Sequence, residues 1–305
     1  MNIVGKRNWY FAFSLLIIIP GVISLFLWGL NLSIDFTGGS EMTFTYPQNV
    51  NEQMISNVKT TFADEKIQII SLQETSTQIT VRTKAITENQ DSVILKNIQI
   101  ASPQVKQDQF ETIGPVIGSE ITVNALYAIL IASLLIVLYI AWAFRGVRKP
   151  MSSWRFGVCA IIALLHDALV VVGIFSLLGH FFGVEVDSLF VTALLTVIGF
   201  SVHDTIVVFD RIRENLRRNL TGAFPQVVND SILQTLVRSL NTSLTALLVL
   251  FTLLIFGGES IRWFIVAMLI GIASGTYSSI FNASQLLVVW QEWVDKSQNR
   301  SFANR

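Results

Sequence analysis

Six apolar runs, each about twenty residues or longer, set the terms for this chain. They lie at about Trp9–Leu30, Ile121–Ala143, Phe156–Leu178, Ser188–Phe209, Ile232–Phe256 and Trp263–Trp290. Lipid offers a backbone no hydrogen-bond partners, so a run of this length crosses a membrane as a helix that satisfies its own N–H and C=O groups. Residues that are 52% hydrophobic and only 14% charged fit a multi-spanning protein and exclude an ordinary soluble domain. One cysteine and three histidines give no disulfide framework and no metal cluster, and nothing implies a cofactor. A formal net charge of zero carries no nucleic-acid footprint.

The first run follows Lys6 and Arg7, and it is longer than a signal-peptide core of about 7–15 residues. It reads as an uncleaved span, kinked at Pro20. From Asn31 to about Gly118 the chain turns polar. Strand-like alternation at Glu41–Tyr46 precedes a helical pattern over Asn51–Ala63, with Met54, Ile55, Val58 and Phe62 on one face. Strands follow at Lys66–Leu72 and Gln78–Arg82, then a helix at Glu88–Ile100 with Val93, Ile94 and Ile98 apolar, then a strand at Val105–Ile113. The expected fold is therefore an α-helical membrane protein of six transmembrane helices. A small α+β domain, ferredoxin-like with βαββαβ order, sits between helices 1 and 2. The expected divisions are a first span at 1–30, the α+β domain at 31–118, a five-helix bundle at 119–292 and a tail at 293–305. The small domain carries no catalytic constellation, and no enzyme is expected.

Basic residues orient the spans. Arg145, Arg148, Lys149 and Arg155 lie between spans two and three; Arg211, Arg213, Arg217 and Arg218 lie between four and five; Lys296, Arg300 and Arg305 lie in the tail. The alternate loops, around Glu185 and Glu259, are poor in Lys and Arg. Both termini are expected in the cytoplasm and the small domain on the outer face.

Ionisable groups inside spans are the candidates for function, because an aspartate at mid-span costs about 2.5–3.5 kcal/mol on insertion scales. Asp204 lies about 9 Å toward the cytoplasm from the middle of span four, and Arg238 about 9 Å toward the cytoplasm from the middle of span five. Equal depth on consecutive helices predicts an acid–base pair. It would be a proton-operated switch, a static pair fixing helix register, or no pair at all if Arg238 snorkels to the headgroups. Thr242, Ser243 and Thr245 would line a polar path, or back-bond and pack. Asp167 sits near the middle of span three, as a relay or a helix–helix hydrogen bond. His166 and His203 each precede an aspartate by one residue, about 100° round the helix, and read as packing or hydrogen-bonding groups. The segment Leu165–Val171 echoes Val202–Val208. In span six, Gly271 and Gly275 form a small-residue pattern for close helix packing, followed by Ser278 and Ser279. Phe224–Ser239 reads as an interfacial helix leading into span five.

Five stretches in order resemble the SecF family of bacterial protein-export membrane subunits, within the resistance-nodulation-division type of transporters. They are Ile34-Asp35-Phe36-Thr37-Gly38-Gly39, Gly114-Pro115-Val116-Ile117-Gly118-Ser119-Glu120, the run Val202–Asn215, Arg238-Ser239-Leu240-Asn241-Thr242-Ser243, and Gly275-Thr276-Tyr277-Ser278-Ser279-Ile280-Phe281. The resemblance implies a bacterial inner-membrane protein that works with SecD beside the SecYEG channel. It implies use of the proton gradient to draw or release an exported preprotein on the outer side, amid membrane lipids. It places the family's membrane aspartate at Asp204 and its arginine at Arg238. The alternatives are a proton-coupled small-molecule exporter of the same architecture and an uncoupled partner-binding scaffold.

Overall fold

A computed structural model describes residues 2–145, 152–218 and 222–303. Arg148, Lys149 and Arg305, counted above for orientation, lie outside these residues. The chain divides into two compact units. One comprises Met1–Leu30, Ala128–Val184 and Leu189–Arg305; the other comprises Asn31–Tyr127 and Glu185–Ser188.

The smaller unit holds strands β1 (Gly39–Thr45), β2 (Ile69–Glu74), β3 (Gln78–Thr83) and β4 (Lys106–Ile113). A one-turn helix α2 (Ile34–Thr37) precedes β1, and helices α3 (Glu52–Asp64) and α4 (Glu88–Ala101) follow β1 and β3. The strands pair antiparallel in the order β2-β3-β1-β4, the arrangement of a βαββαβ sandwich. Alternation in β1 sends Met42 and Phe44 inward, onto Val58 and Phe62 of α3 and Ile94 and Ile98 of α4. Asn51 caps α3, and Thr87 with Gln90 forms a capping box on α4. Two details depart from the sequence pattern. Val93 faces outward at 41% exposure, and Asp91 takes the inner face instead, accepting from Gln107 Nε2 at 2.7 Å. Strand β2 starts at Ile69 rather than Lys66, because Lys66 adopts φ 58° and its N–H still closes the end of α3 on Ala63 O.

Two of the stretches quoted above meet in this unit. Gly38 has φ 70° and Gly39 φ 128°. A Cβ on Gly38 would fall 2.9 Å from Pro115 Cα, and one on Gly39 would fall 2.6 Å from Thr83 O. Only glycine fits both the backbone conformation and the space. The segment Glu185–Ser188 joins the same unit. Val186 N donates to Asn31 O, Ser33 N to Val186 O and Ser188 N to Asp35 Oδ2, each at 2.8–2.9 Å. Arg82 holds Glu185 on one side and Glu41 on the other.

The larger unit is built from long apolar helices. Helix α1 (Arg7–Trp28) runs without a break through Pro20; α5 (Pro115–Ala143) enters the unit at its C-terminal half. Then come α6 (Ser153–Phe182), α7 (Ser188–Arg218) and α8 (Phe224–Phe256). The last span is α9 (Arg262–Ser278), a π-helical turn at Ser279–Ala283, and α10 (Ser284–Ala303). Six of these segments are long and apolar enough to cross a membrane. Residues 224–239 are the first turns of α8 itself, one unbroken helix, rather than a separate interfacial element. Helix α10 continues through Ala303, past the expected start of a tail at 293. Small residues set the spacing of α1 on α6: a Cβ on Gly21 would lie 2.8 Å from Gly173 Cα, and Ser24 Oγ meets Ser176 Oγ at 2.7 Å.

Candidate site: two buried carboxylates

Asp167 on α6 is fully buried and Asp204 on α7 is 2% exposed. The chain treats the two in opposite ways.

Asp167 is enclosed by hydroxyls. Ser201 of α7 donates to its Oδ2 at 2.5 Å, Ser278 of α9 to Oδ2 at 2.6 Å, and Ser274 of α9 to Oδ1 at 2.8 Å. His166 Nδ1 lies 3.0 Å from Oδ1. Sequence spacing produces this cage. Ser274 and Ser278 are four apart, so they share a face of α9, and Gly271 and Gly275 share the neighbouring face. That glycine face lies on α7 over Val197 and Ser201, also four apart. A Cβ at Gly271 would fall 2.2 Å from Val197 Cγ2, and one at Gly275 would fall 2.9 Å from Ser201 Cβ. Close approach of the two helices brings serines from both within reach of one carboxylate. The π turn that follows turns Ser279 toward α7, where its hydroxyl donates to Ser201 O at 3.1 Å and meets Thr205 Oγ1 at 2.8 Å.

Asp204 has far less. Ser243 Oγ on α8 is 3.3 Å from its Oδ2, and the same hydroxyl lies 3.0 Å from Ser239 O. Thr276 Oγ1 donates to Ser243 Oγ at 2.6 Å. One hydroxyl proton on Ser243 therefore serves either Ser239 O or Asp204, not both. His203 Nδ1 is 3.7 Å away, beyond hydrogen-bond range, and its side chain is 67% exposed.

The predicted pairing of Asp204 with Arg238 is not present, and the reason is angular. Thr235, Ser239 and Ser243 form the buried polar face of α8, one every four residues. Arg238 precedes Ser243 by five residues, which places it about 140° round the helix from the side that meets Asp204. Equal depth did not bring equal facing. Arg238 is exposed and makes no ion pair among the described residues. It lines a cleft of about 400 Å3 with Val207, Asp210, Arg211 and Glu214. Thr242 is exposed and bonds back to Arg238 O at 3.0 Å. Ser243 does reach the buried acid; His203 stands at the edge of the same site. Sequence reasoning missed Ser201, Ser274 and Thr276. Their signal was present, since Ser274 and Ser278 flank Gly275 at helical spacing, but it read as packing alone.

The profile described as "Protein export membrane protein SecD/SecF, C-terminal" matches residues 93–293, and that of the "SecD/SecF GG Motif" matches residues 23–50. Protein translocase subunit SecF of Thermobaculum terrenum is 50% identical over 307 residues, covering 95% of this chain and 94% of that protein. Its counterpart in Anaerolinea thermophila is 42% identical, covering 96% of each. Among solved structures, SecDF of Thermus thermophilus, described as a translocon-associated membrane protein, superposes with a TM-score of 0.83 at 34% identity. That match covers 96% of this chain but 39% of the SecDF chain. A SecDF structure in a "super-membrane-facing form" gives a TM-score of 0.70 at 35% identity, again covering 40% of the longer chain.

Proposed function

This chain belongs to the SecD/SecF family of protein-export membrane proteins, and we propose that it is an auxiliary subunit of the bacterial Sec translocase. With SecD it uses the proton gradient to support late steps of export through SecYEG. Its relatives' names and the near-complete coverage of SecF proteins support the translocase role. Arg145, Arg155 and Arg211–Arg218 support an inner-membrane orientation with cytoplasmic termini and the Asn31–Tyr127 unit outside.

The carrying observation is the state of Asp204. Among the described residues this buried carboxylate has one long hydrogen bond, from a hydroxyl shared with Ser239 O, so acceptor positions stay free for a proton. Protonation removes a charge from the bundle and releases the Ser243 hydroxyl to Ser239 O, which alters how α7 and α8 fit together. Beside it, His203, Arg238, Asn241 and Thr242 are exposed on membrane helices. Lipid is a poor neighbour for such groups, so a polar partner covers them. SecD is that partner, as the length of the SecDF chains supports. Arg238 then acts across the subunit boundary, on the side away from Ser243.

A cysteine placed at Asn241 tests the arrangement. The native Cys159 is buried, which makes residue 241 the reactive thiol. In native membranes an Asn241→Cys variant carrying a thiol-attached photocross-linker is expected to cross-link to SecD on illumination. Labelling by a lipid-soluble maleimide with no cross-link to SecD contradicts the partner assignment.

A further inference from the structure

The hydroxyl cage around Asp167 leaves an unused proton acceptor next to it. An ionised carboxylate offers about four lone-pair positions. Ser201 and Ser278 occupy Oδ2, while Ser274 and the His166 ring occupy Oδ1. All four positions are then filled by donors, and a proton on the carboxylate would expel one of them. For His166 to donate from Nδ1, the neutral ring must carry its lone pair on Nε2. Nε2 is buried and has no hydrogen-bond partner among the described residues. Buried polar atoms without a partner are uncommon and call for a physical account.

The ring borders a cleft of about 280 Å3 between α1, α6 and α9, lined mostly by apolar side chains such as Ile17, Val170 and Ile174. From α1 the cleft presents Phe13, Ser14 and Ile17, and Ser14 is engaged by Asn282. From α9 it presents Ser274, engaged by Asp167, and Tyr277, whose hydroxyl donates to Tyr10 O at 2.7 Å. Among the described residues lining the cleft, Tyr277 is the one other titratable group. Among the described residues, the one charged group against the His166 ring is the carboxylate of Asp167.

We propose that His166 is a proton-binding residue of the membrane bundle, with Asp167 as its fixed counter-ion. A proton from water binds the Nε2 lone pair. No other bond breaks: the imidazolium keeps its Nδ1–H on Asp167 Oδ1, and the pair passes from one net negative charge to none. Nε2 is covered in this conformation, so uptake goes with a small opening of α1 from α6 and α9. The inference deepens the proton-coupled reading of Asp204 by adding a second site, on α6, built on the opposite plan: there the acid itself is under-bonded, here the acid is saturated and its histidine is not.

The chain's three histidines make the test direct. Full-length protein labelled with 15N-histidine, in lipid bilayers, gives three pairs of ring-nitrogen signals, assigned with His180→Gln and His203→Gln. His166 is expected as the Nδ1–H tautomer at the alkaline end of a pH series and as imidazolium at its acid end. Asp167→Asn is expected to lose the imidazolium signals from the acid end of the series. An Nε2–H tautomer, or a ring neutral throughout in the wild type, overturns the proposal without need of any variant. Imidazolium signals that persist in a folded Asp167→Asn protein overturn the counter-ion role. Normal export by Asp204→Asn would remove the earlier reading and leave these signals untouched, so the two failures are distinguishable.

Discussion

Gly275 of α9 and Ser201 of α7 meet so closely that a Cβ on the glycine would stand 2.9 Å from the serine's Cβ. The same Ser201 donates to Asp167 at 2.5 Å. Packing and polar chemistry share this contact. Gly275→Ala is therefore expected to push α9 off α7 and to loosen the Asp167 cage, at a cost of about 1–3 kcal/mol. Gly271→Ala, facing Val197 at 2.2 Å, is expected to cost more. Thermal unfolding in detergent ranks the two variants.

The cage itself is a set of interhelical hydrogen bonds, worth about 0.6–1.7 kcal/mol each inside a membrane protein. Ser274→Ala and Ser278→Ala are each expected to lower stability by about that much, and the double variant by less than the sum, since both serve one carboxylate. A double-mutant cycle of thermal stabilities measures the coupling.

Arg238 is exposed and makes no ion pair among the described residues. Arg238→Gln should change the stability of the isolated subunit by no more than about 0.5 kcal/mol. In membranes with SecD, support of export should nevertheless fall. A matching loss of stability in the isolated subunit would show that Arg238 acts within this chain. Exchanging the charges, Asp204→Arg with Arg238→Asp, should fail to restore export.

Outside the membrane, Glu185 gives a pH signature. Burial pushes its carboxyl up to about 7 from an ordinary 4.5, against the pull of Arg82. Glu41 and Asp187 add to the upward push. A raised acid favours the folded state fully below its unfolded value and loses that advantage as pH rises through the folded one. Protection of the 184–188 segment from hydrogen exchange, measured relative to Glu185→Gln, is expected to match the variant near pH 4.5 and to fall below it above pH 7. A relative gain in protection with rising pH contradicts this.

Much of the architecture was legible because it rests on one-dimensional patterns. Six apolar runs, the period-two alternation through Met42 and Phe44, and the helical spacing of Val58 and Phe62 each report a burial pattern directly. The failures have a common cause. Depth in a membrane follows from counting residues, whereas facing depends on how helices are rotated against one another. Asp204 and Arg238 matched in the first and differed in the second. Likewise the serines at 274 and 278 advertised close packing, but their carboxylate partner lies more than a hundred residues earlier, on α6. Val93 and Asp91 exchanged expected faces for a related reason: Gln107 supplies the hydrogen bond that lets an aspartate turn inward.

The central claim is that Asp204, under-bonded and buried, takes up the proton that drives this subunit's work. Export driven by an imposed proton gradient, in vesicles carrying SecD and either the wild type or Asp204→Asn, tests it most directly. Asparagine keeps the shape and can still accept from Ser243, so the variant is expected to insert and melt like the wild type while export support drops to that of vesicles lacking the subunit. Near-normal gradient-dependent export by a well-folded Asp204→Asn protein would contradict the account.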